Sequence, residues 1–138
     1  MKTFFDTSAY AKRFINESGS DQIDEICSQT TDLGLSIICL AELISALNRR
    51  RRESILSDHD YEKIKRALTD EIKDVSIINI TNSVVLKSIQ LLENNTLRAM
   101  DALHLACALE WRAELFISAD QRQIEAATRE GLHAIYIA

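Results

Sequence analysis

Five short apolar runs along the chain predict β-strands, and segments with helical spacing of apolar residues separate them. The predicted strands cover residues 3–6, 35–38, 75–80, 115–118 and 133–137. These runs are apolar on both faces, which is typical of parallel strands covered by helices on each side. The alternation therefore predicts an α/β fold, a three-layer α/β/α sandwich around a central, mostly parallel sheet of about five strands.

Capping residues and glycines set the boundaries of the predicted helices. Ser20 is the predicted N-cap of the second helix, and Ser57 caps the fourth. Thr81 or Asn82 caps the fifth helix, and Gly131 follows the last one in the favoured C′ position. The predicted helices cover residues 8–16, 21–29, 40–51, 58–72, 82–93, 99–111 and 120–130.

The composition indicates one folded domain over residues 1–138. The chain has no proline and three glycines, and no low-complexity linker or internal repeat divides it. No apolar run approaches the roughly 18 residues of a membrane span, and Asp6 comes too early for a secretory signal. Cys27, Cys39 and Cys107 are widely spaced and are predicted to be buried free thiols. We therefore expect a cytoplasmic protein that does not enter a membrane.

The charge distribution does not by itself favour a nucleic-acid substrate. The formal net charge is −5, whereas proteins that bind nucleic acid are usually basic. Bound cations would weaken this objection, because they reverse the sign of the local field. The basic charge also includes one uninterrupted tract, made of Arg49, Arg50, Arg51 and Arg52. These side chains could contact phosphates, or they could form a solvated helix end where cations favour the dipole.

Four carboxylates lie in otherwise apolar segments, just after a strand or in the opening turns of a helix: Asp6, Glu42, Asp101 and Asp120. Asp6 and Asp120 could be helix N-caps, and Asp101 could pair with Arg98, three residues earlier. Glu42 has no Lys or Arg three or four residues away. Because an unpaired buried carboxylate is unfavourable, a shared divalent cation would account for all four at once.

Such a set of oxygen ligands favours Mg²⁺ or Mn²⁺ over zinc. A metal ion in an acidic cluster lowers the pKa of a bound water and stabilises charge on a phosphate, which is the chemistry of phosphodiester hydrolysis. No Ser-His-Asp or Cys-His arrangement competes with this interpretation. The residues therefore predict a metal-dependent hydrolase.

Four segments carry a resemblance to a known family: residues 6–12, Glu42 with residues 45–47, residues 98–106 and residues 116–120. Together they resemble PIN-domain ribonucleases, above all the VapC-type toxins of bacterial and archaeal toxin–antitoxin pairs. The resemblance implies a Mg²⁺- or Mn²⁺-dependent endoribonuclease acting on RNA, a homodimer and a VapB-type antitoxin partner. It assigns the acidic quartet, which would hold the metal and carry catalysis, to Asp6, Glu42, Asp101 and Asp120.

Hydroxyl side chains near these carboxylates would support the site. The resemblance implies that Thr7 or Ser8 forms hydrogen bonds there, and Ser118 replaces a threonine that is frequent in the family. His104 follows Asp101 by three residues, but a lone histidine in an apolar helix favours a packed, hydrogen-bonded role.

Apolar residues near the N-terminus allow two interpretations: Tyr10, Phe14, Ile15, Ile23 and Ile26. They could form a groove for an antitoxin helix, although such stripes more often belong to the core.

Two other functions remain open on the sequence. One is a phosphoryl-transfer enzyme with Asp6 as its nucleophile, although such enzymes normally have a second Asp where this chain has Ser8. The other is a non-catalytic interaction domain that has kept the fold. The intact acidic quartet argues against this interaction domain.

Overall fold

One fully parallel five-stranded sheet forms the centre of the computed structural model, which describes residues 1–138. The strands are β1 (Lys2–Phe5), β2 (Asp32–Ser36), β3 (Ser76–Ile78), β4 (Leu115–Ser118) and β5 (His133–Tyr136). Their order across the sheet is β3-β2-β1-β4-β5, and every neighbouring pair is parallel. The predicted central parallel sheet is confirmed.

Seven α-helices connect the strands and pack on the sheet. They are α1 (Thr7–Tyr10), α2 (Ser20–Gln29), α3 (Cys39–Arg52), α4 (Asp58–Glu71), α5 (Asn82–Asn94), α6 (Ala99–Trp111) and α7 (Gln121–Arg129). Short 3-10 segments follow α1 at Ala11–Arg13 and α4 at Ile72–Asp74. None of the helices has the length and apolar character needed to cross a lipid bilayer.

Two separate apolar cores lie on opposite faces of the sheet. Successive strand residues point to opposite faces, so Phe5 and Ile117 enter one core, while Phe4 and Phe116 enter the other. The first core is completed by α1 to α4, and the second by α5 to α7. This arrangement is the predicted α/β/α sandwich.

The strand order places a switch point beside β1. The chain first adds β2 and β3 on one side of β1, then returns to add β4 and β5 on the other side. In open α/β sheets, the crevice beyond the carboxyl ends of strands at such a point is where ligands bind. Asp6 follows β1 directly, and its backbone N–H donates to the carbonyl of Ile117 in β4 at 3.1 Å. The sheet therefore positions Asp6 at this crevice.

Most element boundaries differ from the predictions by one or two residues, and the differences at the second strand, the first helix and the cap of α2 change the local description. The second strand begins at Asp32 and includes Gly34. Glycine is required at this position because a Cβ there would lie 2.5 Å from the Trp111 ring. The first helix ends at Tyr10 and continues as a 3-10 turn. The cap of α2 is Gly19, in the left-handed region, and not Ser20, whose hydroxyl instead accepts from the N–H of Glu17 and donates to a carbonyl.

The other caps agree with the sequence. The Ser57 hydroxyl accepts from the N–H of Asp60 at 3.1 Å, and the Thr81 hydroxyl accepts from Val84 at 3.2 Å. Gly131 has a φ of +84°, as expected after a helix end.

The cysteines are all free: Cys39 and Cys107 are buried, but Cys27 is only half-buried. Tyr10 and Ile23 are fully buried, and Phe14, Ile15 and Ile26 pack against the same core. Tyr10 and Ile23 therefore belong to the core, whereas Phe14 also lines a surface groove of about 350 Å³ beside α4.

Candidate active site

A small polar cavity of about 180 Å³ opens at the carboxyl ends of β1 and β4. Its walls contain no hydrophobic residue. They are formed by Asp6, Thr7, Ser8, Glu42, Asp101, His104, Asp120 and Gln123. The four predicted carboxylates thus come together from four parts of the fold, namely the end of β1 and the opening turns of α3, α6 and α7.

Asp6 forms the floor of the cavity and is only 1% exposed. As the N-cap of α1, its Oδ1 accepts from the backbone N–H of Ala9 at 2.9 Å. Its Oδ2 accepts from the Ser118 hydroxyl and from Nε2 of Gln123, both at 2.6 Å, and the Ser8 hydroxyl donates to both oxygens. Burial raises the pKa of Asp6 even though these hydrogen bonds oppose the shift.

The two predicted supporting serines, Ser8 and Ser118, both donate to Asp6 and fix its orientation. The Ser118 hydroxyl also accepts from the backbone N–H of Asp120 at 2.9 Å, so it connects two of the carboxylate-bearing segments. The Ser8 hydroxyl accepts from the N–H of Ala119 at 3.1 Å. Ser118 is fully buried beneath the cavity and does not line it.

Glu42 is held on the opposite wall by two donors. The Thr7 hydroxyl donates to Oε1 of Glu42 at 2.6 Å, and Nε2 of His104 lies 2.5 Å from the same oxygen. Because Nε2 also lies 3.2 Å from the Thr7 oxygen, it has two acceptors, which indicates that this nitrogen carries the proton. Burial would raise the pKa of Glu42, but the hydrogen bonds from His104 and Thr7 outweigh it and the pKa is lowered.

His104 is therefore both a packed residue, as predicted, and a wall of the site. It is 2% exposed, and its Nδ1 is buried without a hydrogen-bond partner. The sequence interval to Asp101 suggested a shared helix face, but the contact with Glu42 spans 62 residues and was not predicted.

Asp101 and Asp120 form the more open side of the cavity. Burial raises the pKa of Asp101, and the negative charge of Asp120 raises it further. The neighbouring His104 and Arg98 side chains oppose this rise but do not cancel it. Asp120 caps α7 by accepting from the N–H of Arg122 at 2.9 Å. This residue is therefore both a helix N-cap and a member of the acidic cavity.

Gln123 is a member of the site that the sequence analysis missed. It lies one helical turn after Asp120 on α7, is 1% exposed, and directs Nε2 toward Oδ2 of Asp6 at 2.6 Å and Oδ1 of Asp101 at 3.3 Å. Its Oε1 is buried without a hydrogen-bond partner. The only signal in the sequence was its interval of three from Asp120, which places both side chains on one helix face.

The donor chemistry of the cavity fits a hard divalent cation, because carboxylate and hydroxyl oxygens predominate. In this arrangement, however, no group of three acidic, histidine or cysteine side chains converges closely enough to enclose an ion. The reason is visible in the contacts, since Asp6 is occupied by protein donors and Glu42 is bonded to His104 and Thr7. Small side-chain rotations would be needed for the carboxylates to hold a cation together.

The arginine tract does not act as one unit. Arg49 and Arg50 line a groove of about 690 Å³ that runs along α3 and shares Glu42 with the polar cavity. Arg51 instead binds Asp58 at 2.9 Å and lies over the Tyr61 ring, 4.3 Å from its centroid. Arg52 is exposed and does not line the groove. The structure therefore leaves two of the four arginines beside the site.

Several solved structures share this fold. A chain of VapBC2 from Rickettsia felis, bound to a DNA fragment from its promoter, has a TM-score of 0.72 at 14% identity, with 100% of both chains covered. A chain of VapBC-1 from nontypeable Haemophilus influenzae has a TM-score of 0.70 at 19% identity, covering 99% of this chain and 98% of that one. VapC20 of Mycobacterium tuberculosis, a sarcin-ricin loop cleaving toxin, has a TM-score of 0.70 at 16% identity, covering 90% and 94%.

The family comparison extends this result to the sequence. No curated protein sequence matches the chain. The model of the PIN domain family matches residues 3–129, which include β2, β3 and β4, all but the first residue of β1, and all four carboxylates of the cavity. The chain is therefore a member of the PIN domain family.

Proposed function

We propose that this protein is an endoribonuclease that depends on Mg²⁺ or Mn²⁺ and is the toxin of a toxin–antitoxin pair. The observation that carries the proposal is the convergence of Asp6, Glu42, Asp101 and Asp120 in one polar cavity at the switch point of a PIN-family sheet. Carboxylates from four separate elements meet there without any Lys or Arg among the lining residues. Such a concentration of negative charge is suited to divalent cations.

The four carboxylates would hold the cation, and each is positioned by contacts that are already present. When bound, the cation supplies a water of lowered pKa and stabilises charge on the phosphate. Asp6 is fixed by its cap and by Ser118, and Glu42 is kept ionised at neutral pH by His104 and Thr7, which lower its pKa. Thr7 and Ser8 add hydroxyl groups to the wall.

The geometry disfavours Asp6 as a phosphoryl acceptor. Both of its oxygens accept hydrogen bonds from buried donors, which reduces their nucleophilicity. The position two residues later, where such enzymes supply an acid, is Ser8, and its hydroxyl donates to Asp6. The non-catalytic alternative is decided by the cleavage experiment below.

The groove along α3 would receive the RNA strand. It shares Glu42 with the cavity, and Arg49 and Arg50 line it farther along α3. Two guanidinium groups beside an acidic centre would bind phosphates on either side of the cleaved bond. This placement answers the objection that a chain of net charge −5 should avoid nucleic acid.

Two partners are part of the proposal. Structures similar in fold include toxin–antitoxin complexes, which supports a VapB-type antitoxin as the inhibitor of this chain. A homodimer is supported by an exposed apolar face on α5, formed by Val85, Leu86, Ile89 and Leu92. Cleavage of cellular RNA would take place in the cytoplasm.

The test is cleavage of structured and single-stranded RNAs by purified protein with Mg²⁺, with Mn²⁺ and with EDTA. Asp6→Asn and Asp101→Asn are run beside the wild type, and Asp74→Asn, an exposed position outside the cavity, is the matched control. The proposal expects metal-dependent cleavage by the wild type and the control, and its loss in both site variants. Cleavage that survives EDTA or both site substitutions would contradict it, and no cleavage of any RNA would favour the non-catalytic alternative.

A further inference from the structure

The carboxylate of Asp6 already accepts as many hydrogen bonds as it has lone-pair positions. A carboxylate offers about four such positions. Four donor groups occupy them: the Ser8 hydroxyl, the Ala9 N–H, the Ser118 hydroxyl and the Gln123 amide. A cation can bind to Asp6 only if one of these donors moves.

Three of the four donors are fixed by other bonds. The N–H of Ala9 belongs to the first turn of α1. The hydroxyls of Ser8 and Ser118 each also accept a backbone N–H, from Ala119 and Asp120 respectively. If the fully buried Ser118 rotated away from Asp6, the backbone N–H of Asp120 would lose its acceptor, and rotation of the exposed Ser8 would remove the acceptor of the Ala119 N–H.

Gln123 is held less firmly than the other three. Its contact with Asp101 is long, at 3.3 Å, and its Oε1 has no partner, so only one short bond, to Asp6, retains the amide. The side chain has rotatable bonds, and its amide group lines the open cavity. Gln123 is therefore the donor whose displacement from Asp6 loses the least hydrogen bonding.

We propose that the amide of Gln123 occupies the cation's position between Asp6 and Asp101 in the metal-free protein, and that a divalent cation must displace it. The inference rests on the proposed metal-dependent function. In the absence of a cation, the NH₂ group offers one N–H to each of two converging acceptors and so reduces the repulsion between the two carboxylates. A bound cation would reduce the repulsion between the carboxylates more strongly, because it carries a full charge. The amide N–H groups, with only partial positive charge, would then be displaced from the two carboxylates.

This role accounts for two features of the site. The acidic side chains surround one cavity and yet do not converge to enclose an ion, and the NH₂ group of Gln123 lies between two of them, Asp6 and Asp101. The buried Oε1 of Gln123 has no hydrogen-bond partner, since the amide is oriented by the carboxylates at its other end.

The first test measures Mn²⁺ binding to the purified, metal-free protein by the loss of the free Mn²⁺ signal in electron paramagnetic resonance. Gln123→Leu removes the competing donor, so its Kd for Mn²⁺ should fall about tenfold, the scale of one hydrogen bond to a charged group. Gln121→Leu, an exposed glutamine on the same helix, should bind Mn²⁺ as the wild type does. An unchanged Kd in Gln123→Leu would mean that the amide does not affect Mn²⁺ binding, and a higher Kd would mean that the amide is itself a metal ligand. Either result would overturn the inference.

The second test uses the wild-type protein and does not depend on the variant folding. Diamagnetic Mg²⁺ is titrated while the side-chain NH₂ resonances of Gln123 and the backbone amides of Asp6 and Asp101 are followed by NMR. The inference expects all of them to shift, with the NH₂ protons of Gln123 moving upfield as their hydrogen bonds break. Backbone shifts with an unmoved Gln123 would overturn the inference and leave the metal site intact. If no resonance responds, the metal dependence of the proposed function fails together with the inference.

Discussion

Asp101→Asn is expected to inactivate the protein and at the same time to stabilise its metal-free form. Asp101 is partly exposed, and burial and the nearby charge of Asp120 both raise its pKa, so its charged form is disfavoured in the folded state. Asparagine removes the charge and keeps an oxygen that can accept the 3.3 Å contact from Gln123. The substitution therefore removes a repulsion without removing a hydrogen bond.

The size of the effect is modest because solvent screens this side chain. A partly exposed charge interaction contributes about 0.5–1 kcal/mol. For a domain of this size, that corresponds to a rise in Tm of about 2–4 °C. Mg²⁺ is expected to reverse the relative stability of the two proteins, because a ligand at about ten times its Kd adds about 1.4 kcal/mol to the free energy of unfolding of a protein that binds it. The wild type should therefore become the more stable protein in Mg²⁺.

The assay is thermal unfolding followed by circular dichroism, in EDTA and in Mg²⁺, with Asp74→Asn as the control. A carboxyl whose pKa is raised in the folded state lowers the free energy of unfolding only when it is ionised. The advantage of Asp101→Asn should be full above the raised pKa and vanish as the pH falls toward the ordinary value of 3.8. A variant that is less stable than the wild type in EDTA near neutral pH would refute the reasoning, as would a gain of equal size in the control.

Two further substitutions separate the roles of neighbouring residues. His104→Leu removes a buried donor to Glu42 at 2.5 Å and should lower the free energy of unfolding by about 1.5 kcal/mol near neutral pH. The loss, measured by urea denaturation, should shrink in acid as Glu42 becomes protonated; a pH-independent loss would indicate packing alone. Replacing Arg49 and Arg50 with Gln should weaken RNA affinity and reduce its salt slope by about 1.4, whereas Arg51→Gln should lower stability instead. Equal effects of all three arginines on RNA binding would contradict their separation in the structure.

The sequence predicted the sheet well because its signals are local. Apolar runs such as residues 115–118 mark buried parallel strands, and the alternation with helices implies the layers. Errors arose where a long-range contact decides the local structure. The second strand was predicted to begin at residue 35, yet β2 includes Gly34, whose lack of a side chain leaves room for the distant Trp111 ring.

The sequence predicted the charged residues of the site but not the hydrogen bonds that hold them in place. Asp6, Glu42, Asp101 and Asp120 stand out in the sequence because each interrupts an apolar segment. The hydrogen bonds that hold them join residues far apart in the chain, such as the bond of Gln123 to Asp6 across 117 positions. Only the fold brings such pairs together, so neither the role of His104 beside Glu42 nor that of Gln123 could be read from spacing.

The most direct test of the central claim asks whether this site hydrolyses RNA with a metal-activated water. A labelled RNA that the wild type cuts is compared with the same RNA carrying a single 2′-deoxy substitution at the cleaved nucleotide, in Mg²⁺ and in EDTA. Water as the nucleophile predicts that both substrates are cut in Mg²⁺, that neither is cut in EDTA, and that no 2′,3′-cyclic phosphate forms. Cleavage that requires the 2′-hydroxyl, or that continues in EDTA, would contradict the account.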